Sequence, residues 1–223
     1  MRLLRIVGTY IIFNEKDFIK ESVESVLWCD KIIIIDGAYE GYPSPTPWSN
    51  DGTIDIIAEL QKKHSHIKFV PATRFYRGFE KVEAYLPFIS EGDFFIRMNG
   101  DEIFEGDSAR LCTYIEKTER LPMYQLAEYP DGLPNKYHYC PKILRNLPGL
   151  KPTSKHVALT NSFVPSYITG CHEHGKVEPL DANIPIQFGA LRHMRELRCA
   201  QRAKERDGWL RYYYAHGSAH ENC

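Results

Sequence analysis

No stretch of this chain stays apolar for the roughly 18 consecutive residues that a membrane-spanning helix needs, which argues against a helical integral membrane protein. Met1-Arg2-Leu3-Leu4-Arg5-Ile6-Val7 leads straight into polar sequence instead of a cleavage site, so no secretory leader is expected. An excess of one charge is missing too: 28 Lys and Arg stand against 29 Asp and Glu, a net charge of -1. That balance gives no global attraction for nucleic acid or for a membrane surface. The six cysteines (Cys29, Cys112, Cys140, Cys171, Cys199, Cys223) are scattered singly, with no CxxC pair and no tight framework. They read as reduced thiols in a soluble, cytoplasmic protein. No internal repeat or low-complexity tract is present. What remains, 223 residues of which 43% are hydrophobic, suffices for one large domain with a substantial core.

The first ~105 residues alternate two hydrophobic periods, as a doubly wound sheet does. Leu3 to Phe13, rich in β-branched residues, predicts a strand. Lys16 to Leu27 places Phe18, Ile19, Val23, Val26 and Leu27 on one helical face. Lys31 to Asp36 holds four consecutive isoleucines, the pattern of a parallel strand buried on both faces. Gly37 to Gly52 is long for a connection, which marks a functional or mobile loop. A helix follows over Thr53 to His64, a strand over Ile67 to Val70 and a helix over Glu80 to Phe88. Beyond Asp107 the sequence predicts a helix (Ser108 to Thr118) and a strand (Met123 to Glu128). Short strands and loops follow from Tyr129 to Pro152, then a strand (Ile184 to Leu191) and a terminal helix (His193 to Tyr214). Residues 192 to 211 hold seven Lys or Arg against three Asp or Glu. That excess fits a solvated helix face or peripheral contact with membrane headgroups.

The stretch Glu91 to Phe104 organises the rest. Phe94, Phe95, Ile96 and Met98 read as a short buried strand, and Asn99, Asp101 and Glu102 emerge at its carboxyl end, where open α/β sheets bind ligands. Gly100 removes side-chain bulk there, so that backbone and ligand can approach. Carboxylates clustered without a basic partner call for a divalent cation, and Mg²⁺ completes its shell with water and phosphates. The competing reading is a solvated turn that starts a helix.

Four pieces recur at successive strand ends: Phe13-Asn14-Glu15, Asp36, Ser49-Asn50-Asp51-Gly52-Thr53 and Asn99-Gly100-Asp101-Glu102. In this order they resemble the family-2 type of glycosyltransferase, whose members carry an aromatic-Asn-Glu, an Asp, a Ser-x-Asp-Gly-Thr turn and an Asp-x-Asp. The resemblance implies a GT-A fold, a central mostly parallel sheet flanked by helices with a Rossmann-like first half. Residues 1–107 would bind the nucleotide sugar, and residues 108–223 would bind the acceptor within the same domain. It further implies metal-dependent transfer of a sugar from a nucleotide-diphosphate donor to a saccharide or other hydroxyl acceptor, with inversion. Phe13, Asn14, Glu15, Asp36, Lys81 and Asn99 would serve the donor. Asp101, with His193 and Glu102, would hold Mn²⁺ or Mg²⁺. Asn99 replaces the first acid of Asp-x-Asp, which shifts the metal role to Asp101. Pro141-Lys142-Ile143-Leu144-Arg145-Asn146, His156 and His193-Met194-Arg195 extend the resemblance in fragments.

An inverting transfer needs a carboxylate on the acceptor side. Asp131, in the turn Tyr129-Pro130-Asp131-Gly132, is the first candidate, ahead of Glu128 and Glu173; an ordinary Asp-capped turn is the alternative. Cys171-His172-Glu173-His174 lacks the spacing that sets two imidazoles on one helical face, so it is not read as a zinc site. Two other functions stay open, a nucleotidyltransferase and a non-catalytic nucleotide-sugar-binding module. Thr9 to Lys16 contains no glycine, which disfavours the phosphate loop of a sugar nucleotidyltransferase. Asn99 is the kind of change that a binding module would show.

Overall fold

The computed structural model describes residues 4–77, 80–118, 121–148, 150 and 181–194. These form a nine-stranded sheet in the order β3-β2-β1-β4-β7-β6-β9-β5, with β8 beside β6. The strands are β1 (Ile6–Ile12), β2 (Lys31–Asp36), β3 (Ile67–Val70), β4 (Phe94–Asn99), β5 (Glu102–Glu105), β6 (Met123–Pro130), β7 (His138–Arg145), β8 (Asp181–Asn183) and β9 (Ala190–His193). The helices are α1 (Ile19–Ser25), α2 (Thr53–Lys63), α3 (Glu80–Tyr85) and α4 (Ser108–Lys117). Strands β3, β2, β1 and β4 are all parallel, and β7 joins β4 in the antiparallel sense.

The isoleucine run forms β2 because both of its faces are covered. Ile32 and Ile34 enter one apolar cluster with Ile19 and Val23 of α1, Ile57 and Leu60 of α2, and Leu111 and Ile115 of α4. Ile33 and Ile35 enter a second with Val82 and Tyr85 of α3. All four isoleucines are fully buried. Removing each from water contributes about 1.5–3 kcal/mol relative to leaving it exposed. Helix α4 starts where it does because the Asp107 carboxylate accepts from the amides of Ala109 and Arg110, each at 3.1 Å.

Several expectations change beyond β4. Glu102 opens the strand β5 and starts no helix. Pro141 lies inside the eight-residue β7, and the β6–β7 register shifts between Tyr124 and Gln125. No strand runs from Ile184 to Leu191; a turn precedes β9, which ends on His193. His193 therefore closes a strand and does not open a helix. The remainder of that expected helix, with its basic face, lies outside the described residues, as do His156 and Glu173. Among the described residues no helix is long and apolar enough to cross a membrane.

Candidate functional site

Because β1, β2, β4, β6 and β9 point one way while β5 and β7 run against them, the ends of the first set and the beginnings of the second share one edge of the sheet. Strand order turns around at β1, which lies between β2 and β4. The crevice outside such a reversal is where open α/β sheets bind ligands.

On one side of it the motif fragments form a single hydrogen-bonded unit. Asn14 adopts φ 54, and its amide donates to Ser49 Oγ at 2.7 Å while its side-chain oxygen accepts from the Asn50 amide at 2.9 Å. The Ser49 hydroxyl and amide both donate to Asp36, at 2.5 and 2.9 Å. The Glu15 amide donates to Thr53 Oγ1 at 2.7 Å, and the Thr53 hydroxyl and amide donate to Asp51 at 2.5 and 3.0 Å. Asp36 is 0% exposed, and burial raises its carboxyl pKa against the pull of the Ser49 bonds. Lys81, 2% exposed, donates to the carbonyls of Ile12 and Gly37 below the same loop. Burial lowers its pKa to about 7, opposed by Asp36 and Glu15. Both residues brace the wall of the crevice from within. Phe13 and Asn14 are half-buried and stand closer to its surface, with the Phe13 ring edge-on to Tyr42 at 5.0 Å, while Glu15 is 8% exposed.

Gly100 makes room for Glu15, not for a ligand. A Cβ there would lie 2.6 Å from Glu15 Cγ and 2.8 Å from its Cβ.

On the other side lies the acidic cluster. Asp101 Oδ2 is 3.1 Å from His193 Nε2, and His193 Nδ1 is 3.6 Å from Glu128 Oε1. The Asn99 amide and side-chain nitrogen donate to the buried Glu102 carboxylate at 2.9 and 2.6 Å. Lys142 Nζ reaches Glu102 at 2.6 Å and Glu128 at 3.3 Å. The acidic group thus has a basic partner, contrary to the sequence expectation. Asp101 and Glu102 are also buried, so the solvated-turn reading fails. Burial opposes the charge on Lys142, yet Glu102 and Glu128 raise its pKa. Burial likewise works against the Glu128 anion, but Lys142 and His193 hold its pKa down. Burial pulls the His193 pKa down, but the hydrogen bond to Asp101 and the charges of Asp101, Glu102 and Glu128 together outweigh it and raise the imidazole above its ordinary value.

These donors fit a divalent cation. The 3.1 Å between Asp101 Oδ2 and His193 Nε2 is about the spacing of two neighbouring ligands each ~2.1 Å from one ion. Glu102, Glu128 and His193 offer ligand atoms within 4.8 Å of one another. Asp101 meets His193 at Nε2 while Glu128 faces Nδ1, the other ring nitrogen, so an ion beside Nε2 has Asp101 and His193 as its protein ligands.

Asp131 follows β6 and donates its amide to the His193 carbonyl at 3.0 Å, while its carboxylate accepts from Arg192 at 2.9 Å. Arg192 also pairs with Glu105 at 2.7 Å and Glu21 at 3.2 Å. The sequence reading missed Lys142 and Arg192 as neighbours of the acids. Lys142 sat in a fragment quoted for the resemblance, and its alternation with Cys140 and His138 was the signal that all three share one face of a strand.

No family model and no curated protein matches the chain. Among solved structures it resembles S. aureus TarS 1-349, with TM-score 0.52 and 10% identity over 86% of this chain and 61% of that one. It spans 22% of a longer TarS structure, at TM-score 0.46 and 13% identity over 58% of this chain. It also resembles 4-diphosphocytidyl-2C-methyl-D-erythritol synthase, with TM-score 0.45 and 11% identity over 93% of this chain and 99% of that one. At such identities the likeness bears on fold alone, and the two superpositions below 0.5 add nothing to it. TarS is a glycosyltransferase of the GT-A type. With its mostly parallel sheet between helices, this chain has the GT-A fold.

Proposed function

We propose that the chain is a metal-dependent glycosyltransferase that moves a sugar from a nucleotide-diphosphate donor to a saccharide or other hydroxyl acceptor, with inversion. The observation that supports this best is the pairing of two features on one sheet edge: the Asn14–Ser49–Asp36 wall and, across the β1–β4 reversal, the Asp101–His193–Glu128 cluster. In this reading residues 1–107 bind the donor and residues 108–223 the acceptor.

Phe13, Asn14 and Glu15 line the nucleoside side, with Glu15 offering a carboxylate to base or ribose donors. Asp36 and Lys81 hold that wall in place. Asp101 and His193 would hold Mn²⁺ or Mg²⁺, whose chemistry there would be to offset the charge that grows on the leaving diphosphate. Asn99 and Glu102 orient the cluster through Lys142. Asp131, held in place by Arg192, takes the proton of the acceptor hydroxyl as that oxygen attacks.

The test is a panel of nucleotide sugars, UDP-GlcNAc first because TarS 1-349 was solved in complex with it. Sugar release is followed with Mn²⁺, with Mg²⁺ and with EDTA. Metal-stimulated release from one donor is expected; no release from any donor in the presence of metal overturns the reading. A non-catalytic nucleotide-sugar binder is the second reading, favoured by Lys142, an ammonium already set among the acids. It predicts donor binding by calorimetry without turnover.

A further inference from the structure

The face of β7 next to this cluster carries a different set of donors. His138 and Cys140 alternate along the strand and so share a face, and Glu128 stands directly opposite His138 in the β6–β7 pairing. Ligand atoms of Glu128, His138 and Cys140 lie within 4.8 Å of one another. Cys140 is half-buried while His138 is exposed at the entry to β7, so the group is open to solvent from one side. We propose that Glu128, His138 and Cys140 form a binding site for a thiophilic divalent cation of the zinc class.

The donor types argue for such a cation. A thiolate and an imidazole select zinc-class ions, whereas carboxylate and water suit magnesium and manganese. Three protein ligands with an open fourth position is the arrangement of zinc sites that keep a water. Ligand atoms of a tetrahedral site lie ~3.5 Å apart, inside the 4.8 Å within which these three already fall. Burial and the neighbouring Glu128 push the Cys140 thiol up to about 11, so in the apo protein the sulfur keeps its proton. The cation displaces that proton to solvent and takes the thiolate. Lys142 does not stand in the way, because it keeps its 2.6 Å partner Glu102 when Glu128 turns to the cation. The site shares Glu128 with the Asp101 cluster and uses neither Asp101 nor His193.

Cobalt(II) is the probe, added to the whole chain without nucleotide or acceptor. The outcome is therefore independent of whether the chain transfers sugars. A near-ultraviolet thiolate-to-cobalt charge-transfer band is expected at one equivalent and should disappear when zinc is added. Cys140→Ser should abolish the band. His138→Asn, a change at an exposed position that leaves folding intact, should weaken cobalt binding about tenfold or more. Asp101→Asn should leave the band in place. The proposal is overturned if the wild-type chain gives no band, if the band survives Cys140→Ser, if it is indifferent to His138→Asn, or if it is lost in Asp101→Asn.

Discussion

Gly100 packs closely against Glu15, and this packing can be tested directly. Gly100→Ala drives a methyl group into Glu15 Cγ and Cβ, at 2.6 and 2.8 Å, and the Cβ cannot swing aside as a side-chain tip could. Overpacking of this kind costs about 1–3 kcal/mol, readable as a lower urea midpoint; an unchanged midpoint would show that strand ends β1 and β4 separate easily. Lys81 gives a pH signature. Its folded pKa of about 7 lies below the ordinary 10.5, so between these values the unfolded chain binds more protons than the folded one. Its contribution to stability is complete above the ordinary value and is lost as pH falls through about 7. Wild type should therefore gain on Lys81→Met between pH 7 and 10, by up to ~1.4 kcal/mol per pH unit. Parallel curves of unfolding free energy against pH would contradict it. Asp131→Asn keeps the shape of its turn and removes the basic oxygen. Donor affinity should survive while turnover falls about 10²-fold or more, and near wild-type turnover would place the base elsewhere.

Among elements, the loop after β2 depends on one hydroxyl. Ser49 Oγ accepts from the Asn14 amide and donates to Asp36, so Ser49→Ala strips a partner from a buried carboxylate and from an amide at once. A loss of about 1–3 kcal/mol is expected in chemical denaturation, and a loss near zero would mean that water replaces the hydroxyl. Elements with one strong apolar pattern were legible in the sequence. Lys31–Asp36 and Ile67–Val70 have the bounds read from residues alone, because an isoleucine run or an apolar run closed by Pro71 leaves little choice of state. Strands β5, β7 and β9 were not legible as such. β5 and β9 have four residues each and are held by each other, Glu102 opposite His193 and Glu105 opposite Ala190, a pairing that no local pattern encodes. Gly106, at φ 148, closes against the Phe188 carbonyl, where a Cβ would come within 2.6 Å. That constraint also exists only once distant segments meet.

For the whole molecule, the same division separates the two sides of the crevice. The wall from Phe13 to Thr53 was legible because its fragments carry the residue types of the family they resemble, although Asn14 and its partner Ser49 are 35 positions apart. The acid cluster was half legible: Asp101, Glu102 and His193 were named, but Lys142 and Arg192 reach the acids only through strand pairing across the sheet. What joins the two sides is the diphosphate that would span them, and this sets the last prediction. A nucleoside diphosphate held at the wall would present phosphate oxygens to a cation on Asp101 and His193. Each ligand then completes the other's site, and linkage requires the enhancement to be equal in both directions. Calorimetric titration of UDP should show binding tightened about tenfold or more by saturating Mn²⁺ relative to EDTA, and Mn²⁺ binding tightened by the same factor when UDP is present. Asp101→Asn should remove the coupling and leave metal-free UDP affinity close to wild type, because Asp101 lies on the cluster side. Equal UDP affinity in Mn²⁺ and EDTA would sink the shared site, and a coupling that survives Asp101→Asn would move the cation away from Asp101.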